Sequence, residues 1–288
     1  MEHKSPLSHL NEMIRDDLIT EGIITGRESR CGSWSNPEKF PRQPYQVKCD
    51  SYFCPPCGYE KVEWIRKNVS TFTNDFQSDD GILYLLTLTI PHDQNTDLNV
   101  LYKSFSQSVM RMKNSSVWRN RFKKEIDHQF HYNRYETTIT PSNLFHLHLH
   151  ITIGGFNLID TNEWKRTLTN LWRRCCQSVG VKRLPTKSNG VDIRLTTNGT
   201  YSMKQNEDTI IPNKQESYSP EDLKKILTGY KRIDHFKHPD FSLKELKKYL
   251  KKYKKVFTGK KYMKIYFDND DYKWKWNENR TTIEGLFV

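Results

Sequence analysis

No stretch of this 288-residue chain reaches the roughly 20 apolar residues that a membrane-spanning helix needs. The longest apolar run, ILYLLTLTI at 82–90, suits a buried strand, so no membrane partner is expected. The opening MEHKSPLSHL lacks the apolar core of a secretory leader, which leaves the cytoplasm as the expected compartment. No internal repeat is visible. Acidic residues are also in short supply: 34 Asp and Glu against 46 Lys and Arg leave a formal charge of +12. That excess favours a polyanionic partner, because each phosphate neutralised releases condensed counterions. Hydrophobic residues make up only 35%, enough at this length for one substantial core and a smaller module.

Six cysteines are present, and in a reducing compartment clustered thiols bind metal more often than they pair. Cys49, Cys54 and Cys57 form a tight C-x4-C-P-P-C cluster, and Cys31 lies upstream with Gly32 after it. Four thiolates can close a tetrahedral site, so a structural Zn²⁺ is expected here; free cysteines are the alternative. Cys175 and Cys176 are adjacent in an expected helix and cannot face one ion together. Packing accounts for them.

Residues 1–30 read as a helical lead, weakly amphipathic in HLNEMIRDDLI, and 31–69 as the cysteine-rich zinc module ending in the helical YEKVEWIRKNV. A main domain is expected over 78–265, followed by a basic and aromatic tail at 266–288. Within the main domain, ILYLLTLTI reads as a strand. DLNVLYKSFSQSVMRM reads as a helix, with Leu98, Leu101, Phe105, Val109 and Met112 on one face. HYNRYETTIT (131–140) is rich in β-formers, and Pro141-Ser142-Asn143 is a turn. TNEWKRTLTNLWRRCCQ reads as a second helix capped by Thr161 or Asn162, and VDIRLT (191–196) as a strand. The polar segment 197–218 reads as loop. Ser219-Pro220-Glu221-Asp222 opens a helix through Leu227, and SLKELKKYLKKYKKVF (242–257) forms a strongly basic one. This order predicts an α/β (α+β) class: a central sheet, at least partly antiparallel, flanked by helices.

The segment FHLHLHITIGG (145–155) carries the most chemistry. In a strand, His146, His148 and His150 share one face while Phe145, Leu147, Leu149, Ile151 and Ile153 share the other. Histidine is the commonest metal ligand, and neighbouring imidazoles can grip a cation if an oxygen ligand joins them. If the turn is centred on Ser142, Glu136 faces His148 across the hairpin, with Cβ atoms about 5 Å apart. A slip of one residue would send Glu136 to the opposite face. Two histidines and a glutamate with open positions suit Mg²⁺ or Mn²⁺ polarising a substrate oxygen. The alternative is a set of structural or solvent-facing imidazoles beside an exposed carboxylate.

In the basic helix, Leu243, Leu246, Leu250, Tyr253 and Phe257 form a core stripe. Tyr249 lies one step off it. Glu245 is four residues before Tyr249 and Lys252 three after, so the three project from one flank. An acid, a phenol and an ammonium in that order suit phosphoryl transfer. Tyr249 would be the nucleophile, Lys252 would steady the charge, and Glu245 would activate a second nucleophile. Ser242-Leu-Lys-Glu245 also satisfies a capping box, which explains Glu245 without catalysis. Aromatic and basic residues interleave through 237–267 and again in DYKWKWNENR, a mixture that suits single-stranded DNA or an ordinary amphipathic face.

Three segments together resemble the ordered motifs of the HUH endonucleases, specifically the rolling-circle replication initiators of plasmids and phages. LLTLTIPH (85–92) looks like the first motif and HLHLH (146–150) the second. YLKKY (249–253) looks like the third, and the resemblance spans roughly 30–257. It implies an HUH-type sheet with His148, His150 and Glu136 as metal ligands and His146 as a second-shell or DNA contact. It also implies Tyr249 attack on a scissile phosphate at a single-stranded or hairpin origin, with a 5′-phosphotyrosine bond and a free 3′-OH. Strand closure would follow through Glu245-activated water or through Tyr253, with host helicase and polymerase as partners. A comparable cysteine cluster precedes the first motif in many such initiators. Leu147 stands where a proline is common, and Val256 where some relatives repeat a lysine, which leaves the role of Tyr253 open.

Other readings remain. HLHLHIT also matches the histidine-triad nucleotide hydrolases, where His148 would be the nucleophile, but that leaves the cysteines and the tyrosine helix unexplained. A DNA- or RNA-binding module without catalysis is a second alternative. A single-strand transposase or relaxase with the same chemistry is a third.

Overall fold

The strands assemble into one five-stranded sheet in the order β4-β1-β3-β2-β5, with every neighbouring pair antiparallel. They are β1 (Ile82–Thr89), β2 (His128–Ile139), β3 (Phe145–Gly155), β4 (Val191–Leu195) and β5 (Lys264–Phe267). The helices are α1 (Pro6–Thr20), α2 (Pro55–Ser78), α3 (Leu98–Asn114), α4 (Lys123–Glu125) and α5 (Thr161–Ser178), with a π-helical stretch Val117–Phe122 before α4. In this computed structural model the described residues are 6–26, 28–33, 47–49, 51, 54–91, 97–139, 145–186, 188–200, 251 and 264–275. The chain is thus a mixed α+β protein with an antiparallel sheet. Among the described residues, no helix is long and apolar enough to cross a membrane.

Two compact units are formed, Met1–Trp64 with Glu216–Lys260, and Ile65–Gln215 with Lys261–Val288. In the first, Ile14 and Leu18 of α1 and the following Ile23 and Ile24 are buried. The four cysteines form a buried cluster of their own. Proline at the first position of α2 fits, because the N–H it lacks has no partner at a helix start.

In the second unit, the period-2 alternation of β3 sorts its side chains. Leu147, Leu149, Ile151 and Ile153 are buried at 1% exposure or less. Tyr135, opposite Leu149, packs against Tyr102 and Phe105 of α3, so this face of the sheet receives the helices. The expected stripe of α3 (Leu98, Leu101, Phe105, Val109, Met112) is buried, and Phe105 meets Trp172 of α5 edge-on at 5.4 Å. Each such side chain contributes roughly 1.5–3 kcal/mol on burial. Cys175 and Cys176 are buried on α5, as packing requires.

Among the described residues, the other face is covered at one end. There Phe72 and Phe76 of α2 close over Phe130, with Tyr272 completing the aromatic cluster. Gly154 lies beneath Phe130, whose ring occupies the space a Cβ would take. Leu83, Tyr84, Leu85 and Leu86 are accordingly all buried, whereas Thr87 and Thr89 at the far end of β1 are half-buried. That far end holds the histidine strand's polar face.

The structure differs from expectation in several places. The cap of α5 is Asp160, whose carboxylate accepts from the backbone N–H groups of Asn162 and Glu163; a carboxylate one residue earlier reaches both unpartnered donors. Helix α2 begins four residues before, and ends nine residues after, the segment read as helical. Strand β5 crosses the expected 265/266 boundary, because its backbone pairs with Phe130–Asn133 and Tyr272 beyond it enters the core. Residues 201–218 of the expected loop and the helix through Leu227 lie outside the described residues. So does the basic helix, including Glu245, Tyr249, Lys252 and Tyr253; within it only Lys251 is described, and it is helical.

Candidate metal centres

The β2–β3 hairpin fixes the first site. Its register pairs Glu136 with His148, Arg134 with His150 and Ile139 with Phe145, which is the register a turn centred on Ser142 dictates. Directly paired residues share a face, so Glu136, His148 and His150 lie together on the side away from α3 and α5. The backbone of His146 pairs with Thr138; its side chain lies outside the described residues. On the opposite edge of β3, β1 pairs Thr87 with His150 and Thr89 with His148.

The contacts are specific. His150 Nε2 lies 2.9 Å from Glu136 Oε2, and His150 Nδ1 lies 3.0 Å from Thr87 Oγ1. The His148 ring stacks parallel to that of His150, with centroids 6.2 Å apart and planes 7° from parallel. The side chains of His150 and Glu136 keep 15% and 34% of their surface exposed, so both are half-buried. Burial pushes the Glu136 carboxyl up. The hydrogen bond with His150 and the charges of His150, His148 and Arg134 outweigh it, and hold Glu136 below its ordinary value. An ionised carboxylate is therefore available as a ligand. Two ligand atoms at right angles on a cation, each about 2.1 Å from it, are roughly 3 Å apart. The Glu136–His150 pair fits that spacing, and His148 stands beside it.

Thr87 was not singled out by the sequence. Its pairing with His150 spans 63 positions, and only the Thr-Leu-Thr pattern on β1 hinted at a role. The second threonine does a different job. Thr89 donates to the carbonyl of Asn189 and receives Trp172 Nε1–H on its own carbonyl, so it ties the end of β1 to α5 and to the approach to β4.

The second site is the cysteine cluster. The sulfurs of Cys31, Cys49, Cys54 and Cys57 all lie within 4.8 Å of one another, with Cys31 and Cys57 3.3 Å apart. Among the described residues this is the one group of three or more candidate ligands that converges so closely. All four are 8% exposed or less. Hydrogen bonding to Cys49 and Cys57, together with burial, raises the Cys54 thiol strongly. The Cys49 thiol is lowered by its bond with Cys54, but its bond with Cys57 and burial carry it up to about 12. Four thiols packed this way suit a soft metal such as zinc, which binds them as thiolates. Gly32 adopts a left-handed φ of 86° beside Arg15 of α1, whose guanidinium fills the place of a Cβ there. Burial lowers the Arg15 guanidinium, but Asp16 and the charges of Cys31 and Cys54 prevail and raise it. A cation therefore stands beside the sulfurs.

A third polar group lies on the helix-facing side of β2. His128 Nε2 is 2.9 Å from His131 Nδ1, and His131 Nε2 is 2.8 Å from Lys113 Nζ, which donates to Asn133. Asp268 sits 3.0 Å from His128 Nδ1, a contact without hydrogen-bond angles, and accepts from Lys123. Two ammonium groups at its ends make this chain a poor cation site. It fastens β5 to the sheet.

Compared with protein-family models, with curated proteins and with solved structures, the chain matches none.

Proposed function

We propose that this chain is a rolling-circle replication initiator that nicks and rejoins single-stranded DNA by tyrosine attack, as an HUH endonuclease. The observation that carries the reading is the 2.9 Å pairing of Glu136 with His150, with the His148 ring stacked beside it. His148, His150 and Glu136 would hold Mg²⁺ or Mn²⁺, and His146 would brace one of these ligands or contact DNA. A divalent ion there supplies Lewis-acid polarisation of a phosphate oxygen. Tyr249 attacks the phosphorus, its oxygen replacing the 3′-oxygen, so that a 5′-phosphotyrosine forms and a 3′-OH is freed. Lys252 steadies the phenolate and phosphate charge. The closing transfer runs through water activated by Glu245 or through attack by Tyr253. The cysteine cluster holds structural Zn²⁺. The +12 charge supports single-stranded or hairpin origin DNA as the partner, met in the cytoplasm with host helicase and polymerase.

The test uses the full chain, Mn²⁺ and labelled single-stranded oligonucleotides carrying candidate hairpin origins. An SDS-stable protein–DNA adduct that disappears in Tyr249→Phe is expected. An adduct that persists in that variant overturns the assignment of the nucleophile. Binding without any adduct on the cognate strand favours a non-catalytic nucleic-acid module.

A further inference from the structure

We propose that Thr87 is a positioning residue for the ion site. Its hydroxyl exchanges donor and acceptor roles so that His150 can present Nε2 to a divalent cation without the ring turning, a role that rests on His148, His150 and Glu136 being the ligands.

Both nitrogens of His150 are engaged, Nε2 with Glu136 and Nδ1 with Thr87. An ionised carboxylate can only accept, so the short contact to Glu136 places the His150 proton on Nε2. With the ring neutral, Nδ1 then carries a lone pair, to which the Thr87 hydroxyl donates. A cation that binds between Nε2 and Glu136 needs the Nε2 lone pair. The neutral ring must then carry its proton on Nδ1, where it has to find an acceptor.

A hydroxyl serves in both cases, because it is one donor and two acceptor lone pairs on a rotor. Thr87 Oγ1 donates to Nδ1 before the ion enters and accepts from Nδ1–H afterwards. The proton count on His150 does not change: one N–H is lost at Nε2 and one gained at Nδ1. A fixed acceptor, such as a backbone carbonyl, would favour only the second state. A fixed donor would favour only the first. Metal-ligating histidines depend on the partner of their second nitrogen for ring orientation and tautomer.

The local structure holds Thr87 to this task. It sits on the central β1–β3 pairing directly opposite His150, and the β-branched side chain has few χ1 options in a strand. Its flanking residues, Leu86 and Leu88, are fully buried, so the strand cannot shift to replace it. Thr89 cannot substitute, since its hydroxyl donates to Asn189.

The experiment compares Thr87→Val, which keeps the shape and loses the hydroxyl, with Thr87→Ser, which keeps the hydroxyl. Mn²⁺ affinity is read by electron paramagnetic resonance on the full chain, with Glu136→Gln as the control for the site. Thr87→Val is expected to bind Mn²⁺ at least roughly tenfold more weakly, and Thr87→Ser within about threefold of wild type. Should Thr87→Val fail to fold, Thr87→Ala makes the same comparison. In long-range proton–nitrogen spectra of ¹⁵N-histidine protein, the His150 ring should carry Nε2–H without Mg²⁺ and Nδ1–H with it. Equal Mn²⁺ affinity in wild type and Thr87→Val overturns the role of Thr87 alone, as does a tautomer that Mg²⁺ leaves unchanged. If wild type and Glu136→Gln bind Mn²⁺ alike, or neither binds, the ion site itself falls and this role with it.

Discussion

The cysteine cluster and the histidine strand both gather side chains of metal-binding type, yet they are built on opposite plans. The sulfurs of Cys31, Cys49, Cys54 and Cys57 are soft ligands sealed from solvent, four in number, with Arg15 beside them. His148, His150 and Glu136 offer nitrogen and oxygen atoms, and the side chains of His150 and Glu136 are half-buried. A closed tetrahedral set leaves no place for a substrate and contributes to folding, whereas an open set leaves positions for water or phosphate. The polar chain of His128, His131 and Lys113 completes the comparison. It has the residue type of the open site and the burial of the closed one, and cations cap both of its ends. The chemistry therefore follows from closure and neighbouring charge more than from residue identity.

The strongest test of the closed plan is to open it. Cys54→Ser removes the most buried of the four ligands, at 0% exposure. With zinc held there as proposed, the change is expected to release the metal and unfold the cysteine module, since structural zinc can supply on the order of 10 kcal/mol to a small domain. Metal content by atomic absorption and the far-ultraviolet circular dichroism melt measure this. Retention of one zinc per chain would mean that Cys54 is not a ligand. Because the metal-free thiols of Cys49 and Cys54 are raised, zinc must displace their protons, and zinc affinity should weaken as pH falls. The next test leaves both ligand sets intact. Leu149→Ala empties a fully buried position between His148 and His150, at an expected cost of about 2–5 kcal/mol in urea unfolding. Zinc content should not change. At the open site, His150→Ala is expected to weaken Mn²⁺ binding roughly 10–100-fold while the denaturation midpoint moves little. A large stability loss with unchanged Mn²⁺ affinity would instead make His150 a structural residue.

Much of this contrast was legible in the sequence, for reasons of range. The stripe of α3 follows from a 3.6-residue period, and the Glu136–His148 register follows from a short hairpin whose turn residues fix its centre. Both are local rules. The cysteine set was legible because thiols have few reasons to cluster other than metal. The Thr87–His150 hydrogen bond was not legible, since it depends on which strands become neighbours across 63 positions. Strand β5 was hidden for the same reason: four residues among lysines carry no strand signal until β2 offers an edge. The cap of α5 was missed by one residue, because Asp160, Thr161 and Asn162 are all competent caps in sequence and only the helix phase chooses among them.

The buried histidines yield the smallest predicted effect, and it is one of sign. Burial pushes the His131 imidazole well below its ordinary value, and Lys113, His128 and Lys123 push it further. Burial also lowers His128, although Asp268 partly opposes this. A histidine that stays neutral in the fold while the unfolded chain takes up a proton makes the unfolded state the stronger proton binder. Stability then falls as pH drops below about 6.5. For one such group the loss between pH 7.5 and 5.5 is at most about 1.4 kcal/mol. A second window opens at lower pH. Asp268 is lowered to about 2 by its contact with His128, and by Lys123, against the effect of burial. Its contribution is present above the ordinary aspartate range and is lost as pH falls through 2. His131→Gln keeps a group that can bridge Lys113 and His128 but cannot titrate. Urea unfolding at pH 7.5 and 5.5 should show the loss in wild type reduced by about 1 kcal/mol in that variant. The Asp268 window should remain. If the two proteins lose the same stability over this range, His131 is not the group held neutral.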